Sequence, residues 1–262
     1  MTDTPLDRAH MAMEAAPTDD AARLGFYERL ADSELFLLLE TEAEGAEIHP
    51  AVFELEEVAC VLAFDREERL AEFTISPAPF VALSGRSLAE MLAGQGLGLG
   101  VNLGVAPSSI LLPAEAVAWL HETLSHGPEE VEARPLEILP PSGLTDGLVT
   151  ALDQKLATAA GLAKFAYLAR VEYSGGWTSH MLAFIDPVPG AEVALAQAGN
   201  EALLFSGIEA GQMDVSFFDA SDPMAARLAR VGLRFDLPEA PKSAPRDRPA
   251  PGSNPEKPPI LR

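Results

Sequence analysis

Cysteine is almost absent from this chain, which has a single one, Cys60, among its 262 residues. One thiol cannot form an intramolecular disulfide, so we expect a protein of a reducing compartment, the cytoplasm. Cys60 lies in an apolar stretch that follows Glu56 and Glu57. A reactive thiol needs an electropositive and accessible setting, so this cysteine is predicted to be a small core residue and not a nucleophile.

Basic residues are also scarce, with 18 Lys and Arg against 40 Asp and Glu and a net charge of -22. Residues 242–262 hold five of the basic residues and two of the acidic ones, which leaves the preceding chain with a charge of -25. A surface of this sign repels phosphate backbones and anionic lipid headgroups, so we expect no nucleic-acid partner and no membrane partner. Basic partners and metal cations are electrostatically favoured, unless the acidic surface serves only solubility.

The chain lacks segments suited to membrane insertion. Residues 1–20 contain no basic region followed by an apolar stretch, so they are not predicted to be a signal peptide. The longest run without charge, residues 91–114, spans 24 residues but contains five glycines and two prolines. A helix of that composition would be poor in a bilayer, and the run therefore indicates part of a soluble domain.

What the sequence does contain is ample apolar material, 48% of the chain, arranged in two patterned blocks. Residues 19–126 and 143–237 are each predicted to form a domain. Residues 1–18 lack periodicity and are expected to be a flexible N-terminus. Residues 127–142 contain four prolines and are predicted to be a linker. Residues 238–262 contain eight prolines and are expected to be a disordered tail.

The order of the apolar patterns predicts an α+β fold, with mixed or antiparallel sheets in both domains. In the first domain a buried strand is expected over 58–64, and Asp65 with Glu68 has the capping-box spacing of a helix start. In the second domain, leucines four residues apart over 144–156 predict a helix. The alternation over 167–173, followed by a Gly-Gly turn, predicts a hairpin.

Four stretches of the first block resemble one known family, the N-terminal domain of the SseB ("enhanced serine sensitivity") proteins. They are residues 26–30 leading into 34–38, residues 61–70, residues 83–88 and residues 96–104. The family usually has Asn-Pro-Gly where this chain has Asn102, Leu103 and Gly104, so the local turn is expected to differ. The second block is similar to the SseB C-terminal domain, through its helix-strand-strand order and Ala166-Tyr167-Leu168.

The resemblance implies two cytoplasmic α+β domains and a link to serine sensitivity, which is a phenotype and not a reaction. It implies no catalytic residues, and we predict none, with no cofactor and no metal site. The glycine run 94–104 does not follow the G-x-G-x-x-G pattern and precedes no helix directly, so it is not expected to bind phosphate. His121 and His126 are five apart, whereas a metal-binding pair on a helix needs a spacing of four.

The candidate interaction surface consists of Trp177, Tyr173, Arg170 and Arg86. The first three surround a predicted hairpin turn, where exposed aromatic residues beside an arginine are typical of a binding hot spot. The alternative is that Trp177 folds back over the hairpin. Arg86 is a lone cation in an acidic region, and its alternative role is a surface ion pair with Glu90.

These observations favour a non-catalytic regulatory or protein-interaction protein with a protein partner. The absence of convergent catalytic groups, the acidic body and the proline-rich tail all agree with that prediction. The alternative is a small-molecule sensor or an enzyme, with its site between the two domains, where ligand pockets often form.

Overall fold

The computed structural model describes residues 2–43, 48–55, 58–126, 135–174, 176–206 and 213–240. These residues form two mixed sheets, each covered by helices, which confirms the predicted α+β class. We call residues 2–126 the first half and residues 135–240 the second half. No helix of the described ranges is long and apolar enough to cross a bilayer.

The helices and strands follow one another without long interruptions. The helices are α1 (Pro5–Ala15), α2 (Asp20–Asp32), α3 (Glu67–Thr74), α4 (Gly85–Leu92), α5 (Ala114–Ser125), α6 (Asp146–Thr158), α7 (Glu192–Phe205) and α8 (Pro223–Val231). The strands are β1 (Glu34–Leu38), β2 (Val52–Leu55), β3 (Val58–Phe64), β4 (Phe80–Ser84), β5 (Gly98–Val101), β6 (Ile110–Leu112), β7 (Pro135–Leu139), β8 (Phe165–Tyr173), β9 (Thr178–Ile185), β10 (Met213–Phe218) and β11 (Leu233–Asp236).

The first sheet has the strand order β4-β1-β3-β5-β6, and β2 pairs with the start of β3. Only β3 and β5 run parallel, while the other pairs are antiparallel. Because side chains alternate along a strand, Leu35 and Leu37 face one side of the sheet and Phe36 and Leu38 the other. Helices α1, α2, α4 and α5 cover the first side, and α3 packs on the second.

The second sheet has the order β10-β9-β8-β11, with β7 beside the other end of β8. Strands β9 and β10 are parallel, and the predicted hairpin of β8 and β9 is antiparallel. The leucines at 148, 152 and 156 put α6 on one face together with α7, as the spacing predicted. Helix α8 buries Ala225 and Leu228 against the opposite face.

Two expectations about the chain's irregular segments are wrong. Residues 5–15, expected to be flexible, form α1, whose capping box joins Thr4 and Asp7. Residues 135–139, expected to be linker, form β7 and pair with β8. The rest of the linker up to residue 134 and tail residues 241–262 lie outside the described ranges, so the predicted disorder of the tail stays a prediction.

Asp65 does not cap α3, contrary to the capping-box prediction. The N-cap of α3 is Arg66, which makes no side-chain capping hydrogen bond. The Asp65 carboxylate instead contacts Arg69 and the Thr4 hydroxyl. Gly100 of the glycine run lies in β5, with Leu62 and Leu103 so close that a Cβ would clash with both.

Candidate functional site

Charged residues from both halves meet where α2 and α4 approach α6 and α7. We call this group the interdomain cluster, and its members are Glu28, Asp32, Arg86, Lys155 and Glu201. An apolar contact accompanies it, because Phe205 of α7 is buried within the core of the first half. The cluster therefore lies at the junction where the alternative prediction placed a ligand site.

Lys155 is the centre of the interdomain cluster and only 5% of its side chain is exposed. Its Nζ lies 2.7 Å from Asp32 Oδ2, 2.7 Å from Glu201 Oε2 and 3.7 Å from Glu28 Oε1. Arg86 donates to both carboxylate oxygens of Glu201, at 2.7 and 2.9 Å, and approaches Asp32 at 3.4 Å. A bidentate pair of this kind fixes both the position and the orientation of α4 relative to α7.

The pKa values of Glu201 and Glu28 in the interdomain cluster shift in opposite directions. Burial opposes ionisation of Glu201, but hydrogen bonds from Arg86 and the charge of Lys155 lower its pKa to about 2. Burial raises the pKa of Glu28 to about 7, although Lys155 opposes the rise. Glu28 Oε1 is buried and has no hydrogen-bond partner in the described structure. Two carboxylates thus balance two cations, and Glu28 is the surplus acid.

A second group of buried charges lies inside the first half. We call it the Asp7 cluster, and its members are Thr4, Asp7, Asp65, Arg69, Asn102 and Ser108. Arg69 Nη1 donates to Asp7 Oδ1 at 3.1 Å and to Asp65 Oδ1 at 2.7 Å, and its Nη2 also donates to Asp7. Ser108 and the Thr4 amide donate to Asp7 as well, at 2.6 and 2.8 Å.

The Asp7 cluster ties α1 to the sheet. Burial alone would raise the pKa of Asp7, but the hydrogen bonds from Arg69, Ser108 and Thr4 hold it far below its usual value. Asp7 is fully buried and sits 62 residues from Arg69 in the chain. The cluster explains why the short N-terminal helix belongs to the folded domain.

An apolar groove opens on the opposite side of the first sheet, where α3 ends. We call it the Ile75 groove, a cavity of about 360 Å³ whose lining includes Glu67, Ala71, Thr74, Ile75, Ser76, Pro77 and Phe80. Ile75 has left-handed backbone angles, φ 63 and ψ -23, and 92% of its surface is exposed. Phe80 is also exposed and begins β4, an edge strand that pairs with β1 alone in the described structure.

Comparison with known families assigns this architecture. Residues 6–119 match the family model of the SseB protein N-terminal domain. This part of the chain is therefore similar to the SseB N-terminal domain. The match begins inside α1 and ends inside α5, so the helix missed by the sequence patterns is part of the SseB domain. Neither the curated proteins nor the solved structures include one that matches the chain significantly. The similarity of the second half to the SseB C-terminal domain stays a prediction.

The turn where the chain departs from the Asn-Pro-Gly pattern has left-handed backbone angles at two residues. Asn102 and Gly104 have φ values of 49 and 72. Asn102 Oδ1 accepts from the Asp65 amide at 3.0 Å, and its Nδ2 donates to Ser108 at 2.8 Å. The buried asparagine thereby joins the turn to the Asp7 cluster, and Leu103 packs on the α3 side of the sheet.

Three of the four predicted surface residues lie on the β8–β9 hairpin, but only Trp177 and Tyr173 are brought together. Side chains alternate along β8, so Arg170 lies on the opposite face of the sheet from Tyr173. Trp177 stacks on Tyr173 with ring centroids 4.0 Å apart, yet 40% of Trp177 remains exposed. The Tyr173 hydroxyl donates to Asp214 at 2.7 Å, and burial raises the pKa of this tyrosine. Arg170 approaches Glu172 at 3.6 Å. The tryptophan does fold back over the hairpin, as the alternative expected, while its outer edge stays accessible.

Arg86, the fourth predicted residue, is brought into the interdomain cluster and away from the hairpin. Its partners are Glu201 and Asp32, and not the expected Glu90. Sequence patterns missed the other cluster members, although Glu201 directly precedes the apolar end of α7, residues 202–205, and Lys155 lies between Leu152 and Leu156. A charged residue on an apolar stripe was the available signal. Among the described residues, no group of three His, Cys, Asp or Glu could hold a metal ion.

Proposed function

We propose that this chain is a non-catalytic regulatory SseB-family protein of the cytoplasm, which binds a segment of a protein partner in the Ile75 groove. The observation that carries the proposal is Ile75 itself. A left-handed C-terminal helix cap is usually glycine, and a β-branched residue there costs about 1–3 kcal/mol of strain. Ile75 buries almost nothing that would offset this cost. A side chain kept in a strained and exposed position is well placed to contact a partner.

The surroundings of Ile75 support binding of an extended segment. Phe80 and Pro77 extend the apolar surface, and exposed apolar patches mark interaction sites. Strand β4 presents backbone groups along its outer edge, to which an added strand can hydrogen-bond. Apolar side chains of such a segment would enter the groove while its backbone follows β4.

The placement of the ionisable groups supports a non-catalytic role. Glu67 is the sole ionisable residue that lines the Ile75 groove, and one carboxylate cannot provide the acid and base pair of most hydrolytic mechanisms. The carboxyl groups with strongly shifted pKa values, Asp7, Glu28 and Glu201, lie in the two buried clusters. The ion-pair partners of these acids link helices to the rest of the fold, so the buried charges have a structural role.

Co-purification from the native cytosol tests the proposal, with the tagged full-length protein and mass spectrometry of bound proteins and metabolites. Ile75→Gly removes the side chain and relieves the backbone strain, so it should lose the partner without losing stability. Val193→Ala is the matched control, because Val193 is 79% exposed on α7 of the second half. A partner that survives Ile75→Gly would overturn the groove as its site, and Trp177→Ala would then test the hairpin.

A sensor or enzyme remains the competing function, and the link to serine sensitivity is shared by both proposals. Thermal-shift measurements with serine and other amino acids separate them, because a ligand that binds the folded state raises the melting temperature. A reproducible rise with one amino acid, combined with no protein partner, would favour the sensor. The interdomain cluster would then be the first place to examine.

A further inference from the structure

The last residues of the printed sequence combine the two properties that the Ile75 groove would select. Residues 257–262 read Lys-Pro-Pro-Ile-Leu-Arg, so two adjacent aliphatic side chains are flanked by a cation on each side. Ile260 and Leu261 are the only large aliphatic residues between 238 and 262. The remainder of that segment is rich in proline and small or polar residues, which offer little for an apolar groove.

The groove complements such a segment in charge as well as in polarity. Its apolar lining has one carboxylate, Glu67, which forms no ion pair among the described residues. Glu68 and Glu72 are exposed on the same helix. Residues 242–262 carry a net charge of +3, opposite to the -25 of the preceding chain. The charge asymmetry of the sequence thus draws this segment toward the acidic first half.

The segment can reach the groove from the place where the described chain ends. Ala240 lies against Gly161 in the second half, and 16 residues separate it from Lys257. An extended chain of that length spans about 55 Å. A folded unit of this size is about 45 Å across. The tether gives an effective concentration on the order of 1 mM, so even a weak contact would be substantially occupied.

We propose that residues 257–262 bind the Ile75 groove of their own chain, with Ile260 and Leu261 against the apolar lining and a flanking cation beside Glu67. The inference rests on the proposed function of the groove as a binding site. It adds that a segment of the same chain binds there. A protein partner would have to displace this segment, so the tail lowers the apparent affinity of the groove by the fraction of time it is bound.

Methyl NMR of the full chain tests the contact, with the Ala71 and Ile75 methyl signals as the readout. The double variant Ile260→Asp with Leu261→Asp should move both signals. The matched control Ala244→Asp with Ala250→Asp adds the same charge to the tail and should leave both unchanged. A synthetic peptide of residues 252–262, added to the first variant, should restore the wild-type positions with half-saturation at or below about 1 mM.

Three results would overturn the proposal. Signals that do not move in the first variant, or that move equally in the control, would show that the apolar pair does not occupy the groove. A shift that disappears on dilution would assign the occupant to a second copy of the chain. These three NMR results do not depend on any protein partner. Loss of a protein partner from the Ile75→Gly variant tests the proposed function alone. If both proposals hold, the Ile260→Asp and Leu261→Asp variant recovers more partner than wild type.

Discussion

The Asp7 cluster and the interdomain cluster each bury one more carboxyl group than cations, but they differ in the hydrogen bonds that their acids accept. In the Asp7 cluster, Arg69 lies between two carboxylates, and neutral donors complete the hydrogen bonding of Asp7. In the interdomain cluster, two cations face three carboxyl groups, and Glu28 Oε1 has no hydrogen-bond donor among the described residues. The first arrangement stabilises the ionised acid, whereas the second favours the protonated form of its surplus acid.

The comparison shows that burial alone does not decide whether the pKa of an acid rises or falls. Asp7 is the more deeply buried of the two acids, yet its pKa falls while that of Glu28 rises. Donated hydrogen bonds decide the outcome, since Asp7 accepts four and Glu28 Oε1 accepts none in the described structure. The variants below test this comparison.

The largest effect is expected from removing the cation of the Asp7 cluster. Arg69→Met leaves Asp7 and Asp65 as buried carboxylates without a positive partner. Breaking a buried pair in this way costs about 3–5 kcal/mol of unfolding free energy, which urea denaturation measures. Arg66→Met is the control, because Arg66 donates to the Thr2 carbonyl at an exposed site and should cost less than about 1 kcal/mol. Equal losses would contradict the role assigned to Arg69.

Removing the cation of the interdomain cluster should cost less. Lys155→Met removes the nearest cation of Asp32, but Arg86 stays 3.4 Å from Asp32 and still holds Glu201 in a bidentate contact. We expect a loss of about 2–3 kcal/mol by urea denaturation, at the lower end of buried pairs. The control Lys164→Met breaks an exposed pair with Asp186 and should change stability by less than about 1 kcal/mol. A loss as large as that of Arg69→Met would remove the distinction between the clusters.

The pH dependence of stability should have opposite signs for the two acids. Because the folded-state pKa of Glu28 is raised from 4.5 to about 7, its stabilising contribution is complete below pH 4.5 and is lost as the pH rises to about 7. Glu28→Gln should therefore match wild type near pH 4.5 and exceed it above pH 7, by on the order of 2 kcal/mol. Asp7 stabilises above pH 3.8 and loses this contribution at lower pH.

Urea denaturation between pH 4.5 and pH 8.5 measures this effect in the wild type and in Glu28→Gln. Each protein serves as its own reference at the acidic end, where Glu28 of the wild type is protonated in the folded state and half protonated in the unfolded state. If the two curves stay parallel across the whole range, Glu28 does not carry the surplus charge of the interdomain cluster.

The smallest effect is expected from a change outside both clusters. Deleting residues 241–262 removes no member of either, and a tail bound half of the time contributes only about 0.4 kcal/mol by mass action. In a protein of this size that amounts to a shift of about 1–2 °C in melting temperature. Differential scanning calorimetry measures it. A drop of several degrees would mean that the tail packs as a structural element.

Much of the fold was predictable because it depends on patterns within a few residues. Alternating apolar residues located β8, and leucines four apart located α6, since these periods are properties of a strand and of a helix. Strand β7 was missed because Pro135 indicates a loop, whereas pairing with β8 across the sheet stabilises the strand. Helix α1 was missed because its apolar stripe is short. The packing of this helix on the domain also depends on the contact of Asp7 with Arg69, which is distant in the chain.

The candidate site was less predictable because it depends on contacts between residues that are distant in the chain. The sequence by itself determined the α+β class, the SseB resemblance, most element positions and the acidic character of the body. The tertiary structure alone decided which charges meet. Arg86 pairs with Glu201, from which 115 positions along the chain separate it, and Lys155 pairs with Asp32 across a separation of 123 positions. It also decided that Ile75 stays exposed at the end of α3. Local spacing encodes secondary structure, whereas ion partners and grooves depend on how distant elements pack.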